Sequence, residues 1–477
     1  MTPYSIKRYH DLSSYDRLNM VRMGLQNVNK PVVAESRKTY LGRSNFRLED
    51  DLVSPDRSLF ELIRHQPNSK SGLDLESLTR VLFISYGVTT VRRRLGKNFM
   101  YRSPPSAGAL YPCEIYVVLN GLDGLHDGLY HYSSQDHALT LLRSASFGAP
   151  SAVAFFISAV FSRSALKYRE RALRYCFLDA GHLAENLALS QISEGLDPGL
   201  SMDFDDKEVN LFLGIDPEQE GCLLVGNSGL LHDLPPAEDL EFTQDSQVRP
   251  QESGDQVIKE MLLASSKPTG PIKSAGSDPG RVGLFPGPKQ PWPEASNCHE
   301  SLSFFKTVIE RRSRRNFMPQ EIPSACLGRL LELLAEESES AVQIGFLAER
   351  IEGLKAGFYL LNRAGSYFSP ITEGALLADM ASICLDHQAW LGRAALHFIF
   401  LANLNLLDET EGPRGYRRAM IEAGRLGQRL YLGATALGFG CCGVGTFYDS
   451  EAAEFLGLNQ ESRLLYLVAV GPIKSRK

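Results

Sequence analysis

Asp179-Ala180-Gly181-His182-Leu183-Ala184-Glu185 recurs 243 residues later as Glu422-Ala423-Gly424-Arg425-Leu426-Gly427-Gln428. The offset holds without a gap for Gly195 against Gly438, Phe204 against Phe447 and Gly214 against Gly457. Upstream, Gly121-Leu122-Asp123-Gly124-Leu125-His126-Asp127-Gly128-Leu129-Tyr130 is echoed by Glu352-Gly353-Leu354-Lys355-Ala356-Gly357-Phe358-Tyr359. A ladder of Gly and aromatic positions at constant spacing implies two copies of one fold. Two long units favour a pseudo-symmetric pair over a solenoid.

Each copy mixes helical and strand patterns. In the first, helices are predicted around Ser58–Arg64 and Leu75–Gly87. They are followed by strands at Glu114–Leu119 and Val153–Ile157, with a hairpin through Leu129–Tyr132 between them. Leu173, Phe177, Ala180, Leu183 and Leu187 repeat at three- and four-residue steps, which predicts a long helix from about Tyr168 to Glu194 with one buried face. Cys222–Val225 closes the first copy as a strand, and Leu464–Val470 closes the second. Helices flanking a small sheet with hairpins read as α+β.

Composition bounds the class. At 477 residues, with 43% hydrophobic and 22% charged residues, the chain can build more than one core. A net charge of −6 argues against nucleic acid as the main partner. No apolar run reaches the ~18 residues a membrane span requires, and Lys7, Arg8 and His10 are followed by no apolar core of a signal peptide. The eight cysteines include no CxxC pair, so neither a disulfide framework nor a zinc site is expected, and no metal site is assigned. These features favour a cytoplasmic location. Residues 1–52 read as a polar N-terminal extension, 53–234 as one domain and 300–477 as the second. Residues 235–299, rich in Pro, Gly and Ser, read as an extended linker anchored by Leu284, Phe285 and Trp292.

The copies differ in the residues that carry chemistry. Only the first has Tyr101-Arg102-Ser103-Pro104-Pro105-Ser106-Ala107-Gly108-Ala109-Leu110-Tyr111-Pro112, a Pro-bounded run of small residues that lets backbone N–H groups approach a flat ligand. Only the first has Lys167-Tyr168, which is expected to open the long helix; the second has Thr410-Glu411 there. The second alone carries Glu310-Arg311-Arg312-Ser313-Arg314-Arg315, expected to close a helix beginning near Phe304, and Lys474-Ser475-Arg476 after the last strand. Guanidinium groups with a Ser hydroxyl suit a phosphomonoester, although such runs also serve as solvated faces. The second alone has the Gly-rich turn Gly438-Phe439-Gly440-Cys441-Cys442-Gly443-Val444-Gly445-Thr446, where the first has Pro198 and two added Asp residues. Each copy thus keeps what the other lost, which reads as one composite site with a degraded mate.

These motifs resemble the nitroreductase superfamily, whose members are dimers holding FMN at the subunit interface. In the first copy, Arg102 through Pro112, Gly128-Leu129-Tyr130-His131-Tyr132 and Lys167 through Leu187 resemble the SagB-type branch of dehydrogenases, which includes cyanobactin (thiazoline) oxidases. The resemblance implies two nitroreductase-like domains in tandem, each a central mixed, mostly antiparallel sheet flanked by helices, forming an intramolecular pseudo-dimer. It implies one FMN per chain. Arg102, Pro105, Ser106, Ala107, Gly108 and Leu110 would lie along the isoalloxazine. Arg311, Arg312, Ser313, Arg315, Lys474 and Arg476 would hold ribityl and phosphate, Gly443 and Val444 would belong to the same cofactor-binding set, and the backbone N–H groups of Gly445 and Thr446 would face flavin N5.

Lys167 and Tyr168 match the Lys-Tyr pair of azoline-oxidising members, where loss of hydride from the ring requires a base for a C–H proton. Their plain alternatives are an exposed Lys and a packed ring. The expectation is an FMN-dependent oxidoreductase acting on an azoline or related heterocycle in a modified peptide or natural product. A nicotinamide-fed nitro or quinone reductase and a flavin-free scaffold of a biosynthetic complex are the alternatives. Expected partners are the heterocyclic substrate and a cyclodehydratase complex, with further dimerisation left open; a membrane and nucleic acid are not expected.

Overall fold

Two separate antiparallel sheets carry the duplicated pattern. The structure, a computed structural model, describes residues 5–22, 37–64, 73–94, 97–144, 152–227, 256–267, 279–335, 340, 342–385 and 388–474. The chain divides into two compact units: a first domain of Pro31–Arg57 and Glu61–Gly270, and a second of Met1–Lys30, Ser58–Phe60 and Pro271–Lys477.

In chain order the elements begin with α1 (Ile6–Leu12) and α2 (Arg17–Arg22), then β1 (Asn45–Arg47), α3 (Leu59–Arg64) and α4 (Leu75–Tyr86). A ribbon of β2 (Val88–Arg94) and β3 (Lys97–Arg102) precedes β4 (Cys113–Asn120), β5 (Gly128–Ser133), β6 (Ala138–Ser144) and β7 (Ala152–Val160). Next come α5 (Phe161–Tyr168), α6 (Ala172–Ser193), α7 (Asp206–Leu213), β8 (Glu220–Gly226) and α8 (Gln256–Ala264). The remainder begins with β9 (Gln290–Pro291), α9 (Phe304–Glu310), α10 (Ser324–Glu332), β10 (Gln343–Ala348), β11 (Gly357–Asn362) and β12 (Tyr367–Glu373). It ends with α11 (Leu377–Ile383), β13 (Leu396–Asn403), α12 (Leu404–Glu411), α13 (Arg414–Ala436), β14 (Gly440–Val444), α14 (Asp449–Phe455) and β15 (Ser462–Gly471).

The first sheet runs β1-β6-β5-β4-β7-β8 and the second β14-β15-β13-β10-β11-β12-β9. Positions β6-β5-β4-β7-β8 map onto β12-β11-β10-β13-β15, so the duplication read in the sequence is a duplicated sheet order. Every pairing between these named strands is antiparallel. β4 is buried along its whole length, its apolar run Ile115–Leu119 flanked by buried Glu114 and Asn120. The second core gathers Phe317, Leu347, Leu377, Ile399, Leu467 and their neighbours.

Four local expectations are corrected. The helix expected from Tyr168 breaks: α5 ends at Tyr168, Arg169 takes φ +47°, and α6 starts at Ala172, so Lys167-Tyr168 closes a helix rather than opening one. α6 is also buried around nearly its whole circumference, not on one face alone. α9 stops at Glu310, because Arg311 turns to an extended backbone at φ −54° and ψ 128°. Gly440–Val444 is no turn; it pairs with β15 as strand β14.

The N-terminal extension is divided between the domains. In the second, His10 is buried with Nδ1 3.0 Å from the Tyr416 hydroxyl and Nε2 3.3 Å from Asp449, while the Tyr15 N–H donates to Asp449 at 2.9 Å. In the first, buried Lys38 donates to Glu220 and to the Tyr116 hydroxyl. Of the linker, 235–255 and 268–278 lie outside the described residues. The described part holds helix α8, and Leu284 is buried but Phe285 is 85% exposed, so Phe285 anchors nothing. Against the expectation of no disulfide, Cys298 and Cys326 are joined, with Cα atoms 5.2 Å apart.

Candidate functional site

The Pro-Ser loop is held in a demanding shape. Gly108, Ala109 and Tyr111 all have positive φ, at 64°, 55° and 48°. Two of them carry a Cβ, a conformation that persists only where the surroundings impose it. Asp179 on α6 imposes it: its carboxylate accepts from the Ser106 hydroxyl at 2.6 Å and from the Ala107 N–H at 3.1 Å. Ser106 Oγ in turn accepts from the Tyr111 N–H at 2.9 Å, and Arg163 donates to the Tyr111 carbonyl at 3.1 Å. Burial pushes the Asp179 carboxyl up to about 7, against the pull of the Ser106 and Ala107 bonds. Below the loop, Arg163 also pairs with Glu114 at 2.6 Å, with His131 2.9 Å from the same carboxylate. Burial would raise Glu114, but Arg163 and His131 hold it well below the usual carboxylate range.

The expected ligand-facing residues divide. Pro105, Ser106 and Ala107 are half-buried and Gly108 is exposed. Leu110 is buried in the domain. Arg102 is buried as well, its guanidinium 4.3 Å from the Tyr86 ring centre and 5.0 Å from that of Tyr111, so it braces the loop from behind.

Lys167 and Tyr168 meet the loop at Gly108. A Cβ placed on Gly108 would stand 2.9 Å from the Tyr168 hydroxyl and 3.1 Å from Lys167 Nζ. The loop tip needs glycine here for its φ and for this approach. Lys167 Nζ lies 5.2 Å from the Tyr168 ring centre, and that ring packs on Tyr175 with centroids 4.4 Å apart. The sequence separates loop and pair by some sixty residues; the fold of one domain joins them.

In the second domain Arg311–Arg315 is extended, and Ser313 bridges Cys441 of β14. Alternation places Arg311, Ser313 and Arg315 on one face. Arg312 is turned away and donates to the carbonyls of Ile309 at 2.8 Å and Arg311 at 2.6 Å. Those bonds cap the carbonyl end of α9. The Asn316 side chain donates to the Lys474 carbonyl at 3.0 Å and the Lys474 N–H donates to the Asn316 carbonyl at 3.2 Å. The two basic segments are therefore adjacent. Arg476 lies outside the described residues.

Tyr431 on α13, unremarked in the sequence, organises this side. Its buried hydroxyl accepts the Gly443 N–H at 2.6 Å and lies 3.0 Å from Ser313 Oγ, while Arg311 stands 5.6 Å from its ring centre. Gly443's N–H is thus engaged within the protein. Val444 is buried in β14, and Gly445 and Thr446 are half-buried beyond its end. The Thr446 hydroxyl accepts from Gln388 at 3.2 Å and its carbonyl accepts the Leu385 N–H at 3.0 Å. Burial pushes both the Cys441 and Cys442 thiols up, so this pair is packing and not a reactive dithiol.

The nitroreductase family model matches residues 70–227 and 360–472, one segment in each sheet domain and more than half of the chain. The chain belongs to the nitroreductase family. A candidate nitroreductase of Methanocaldococcus jannaschii is 32% identical over 182 residues, covering 35% of this chain and 85% of that protein. The trifolitoxin-processing protein TfxB of Rhizobium leguminosarum bv. trifolii is 29% identical over 170 residues; the match spans 32% of this chain and just under half, 46%, of TfxB. The crystal structure of a candidate nitroreductase from Anabaena variabilis matches 98% of this chain and 99% of its own, with a TM-score of 0.78 and 26% identity. That last match extends the family's tandem form across the whole chain. No helix among the described residues is long and apolar enough to cross a membrane.

Proposed function

We propose that this nitroreductase-family oxidoreductase is an FMN-dependent dehydrogenase that oxidises an azoline or related heterocycle in a modified peptide. The observation that carries the reading is the meeting of Lys167 Nζ and the Tyr168 hydroxyl at the tip of a strained, glycine-tipped loop. A nitroreductase working only as an electron conduit has no evident use for such a pair. TfxB, named for processing a toxin, supports a substrate made by post-assembly modification.

The residues fit FMN. Arg315 and Lys474 are exposed cations with no carboxylate partner among the described residues, and Ser313 is an exposed hydroxyl between Arg311 and Arg315. Two uncompensated positive charges with a hydroxyl donor suit a phosphomonoester. Bound there, FMN supplies a two-electron acceptor at N5. In the second domain Arg311, Ser313, Arg315 and Lys474 would hold its phosphate; in the first, Pro105 through Gly108 would offer a flat ring small, closely approaching backbone. As the free amine, Lys167 Nζ would take the ring C–H proton, or Tyr168 Oη would receive it while passing its own proton to Lys167 Nζ. Complementary losses in the two copies support one FMN per chain, with dioxygen as terminal acceptor and a cyclodehydratase as a partner.

A second reading, a nicotinamide-fed nitro or quinone reductase, is favoured by the names of two of the relatives. Flavin content and anaerobic reduction separate them. The purified chain should release one FMN on denaturation, and an azoline peptide should bleach the flavin absorbance without added nicotinamide. Bleaching by NADH or NADPH alone would favour the reductase, and a colourless protein that cannot be reconstituted would leave a scaffold.

A further inference from the structure

The ribbon β2–β3 is a two-stranded sheet with no third strand among the described residues, so each strand offers an unpaired edge. It runs covalently into the Pro-Ser loop, since β3 ends at Arg102 and the loop starts at Ser103. From Ser77 to Cys113 the sequence contains no Asp or Glu, in a chain whose net charge is −6. Arg92, Arg93, Arg94 and Lys97 lie within six residues of one another in the sequence. Arg92 and Arg93 are exposed and have no carboxylate partner among the described residues. Val91 and Met100 face each other across the strands, 54% and 37% exposed, and alternation puts Arg93 on their face. Unpaired edges are normally blunted by charge or covered. Here the charge is of one sign and sits beside an uncovered apolar pair, which points to a partner.

We infer that the ribbon is a docking edge for an acidic, extended peptide, which adds as a third strand. The peptide's carboxylates meet Arg92 and Arg93, and an apolar side chain covers Val91 and Met100. Rim charges of this kind act mainly on encounter and register, so docking beside the loop raises the local concentration of a heterocycle carried further along the same peptide. The inference deepens the dehydrogenase reading and rests on it for the link to turnover, but not for the binding itself.

The test is fluorescence anisotropy on the full, flavin-loaded chain. The probes are a labelled extended peptide carrying Glu on both faces and one Val, its Gln-for-Glu twin, and a twin N-methylated on alternate backbone amides. The Glu peptide should bind most tightly, both twins at least tenfold more weakly, and added salt should weaken it. The Arg92→Glu/Arg93→Glu variant should lose at least tenfold in affinity while keeping its flavin and its rate with a free heterocycle. Equal affinity of that variant for the Glu peptide would overturn the docking edge, as would tighter binding of duplex DNA or anionic vesicles through the same arginines. Equal affinity of the N-methylated twin would overturn strand addition. If peptide binding behaves as expected but no azoline peptide bleaches the flavin, the dehydrogenase reading fails and the docking edge stands.

Discussion

Asp179 accepts the Ser106 hydroxyl at 2.6 Å across 73 residues of sequence, and through that one bond the long helix α6 holds the loop that Lys167 and Tyr168 approach. The carboxyl's raised value, about 7 against an ordinary 3.8, makes the bond pH-sensitive. Between those values the folded chain keeps a proton that the unfolded chain has released, so stability from this group falls as pH rises through the window and then levels off. Asp179→Asn should flatten that slope. Thermal melts of both proteins across the window check it; an unchanged slope in the variant would assign the pH dependence elsewhere.

Arg315 and Arg312 should behave oppositely. Arg315→Ala removes charge-assisted bonds to phosphate worth about 1.5–3 kcal/mol and should lower flavin occupancy at equilibrium dialysis. Arg312→Ala removes the donor to the Ile309 and Arg311 carbonyls and should cost roughly 0.3–1 kcal/mol of stability with occupancy kept. Full flavin in Arg315→Ala would move the phosphate site.

Lys167→Ala and Tyr168→Phe should keep flavin, because neither is assigned to hold it. If Lys167 is the base, its loss should slow anaerobic bleaching by an azoline peptide about 10²–10⁴-fold. Reduction by dithionite should proceed as in the parent. Equal substrate-driven rates in parent and Lys167→Ala would remove Lys167 from the chemistry, and a loss confined to Tyr168→Phe would transfer the role to the phenol.

Tyr431→Phe leaves the Gly443 N–H without its acceptor, a loss of about 1–3 kcal/mol. It also frees Ser313 Oγ from its neighbour. FMN affinity should fall more than riboflavin affinity if Ser313 holds the phosphate, as proposed, and not the ring. Equal losses for the two ligands would make Tyr431 a purely structural support.

The duplication was legible because its signal starts in the buried helices α6 and α13 and continues at Gly195, Gly214, Gly438 and Gly457, all at positive φ, so packing and backbone shape limit which residues fit. Boundaries were less legible. Nothing about arginine announces the positive φ of Arg169, and the run Arg311–Arg315 is built of good helix formers that β14 draws into an extended pairing. Gly440–Val444 has turn composition, and only its partnership with β15 makes it a strand. The loop and the Lys-Tyr pair could be named from sequence, but not the residues supporting them. Asp179 and Tyr431 act through contacts that only a folded chain brings together.

The placement of α1 has a consequence for biosynthesis. The Ile6 N–H donates to Asp408 at 3.3 Å, a partner 402 positions downstream, and His10 pairs with Asp449 later still. At ordinary translation rates α1 leaves the ribosome on the order of tens of seconds before its seat exists. During that interval Ile6 and Tyr9, both fully buried in the finished protein, have no native surface to cover them. α1 is therefore made well before the residues that cover it, and it can settle only once α12 and α14 have been synthesised.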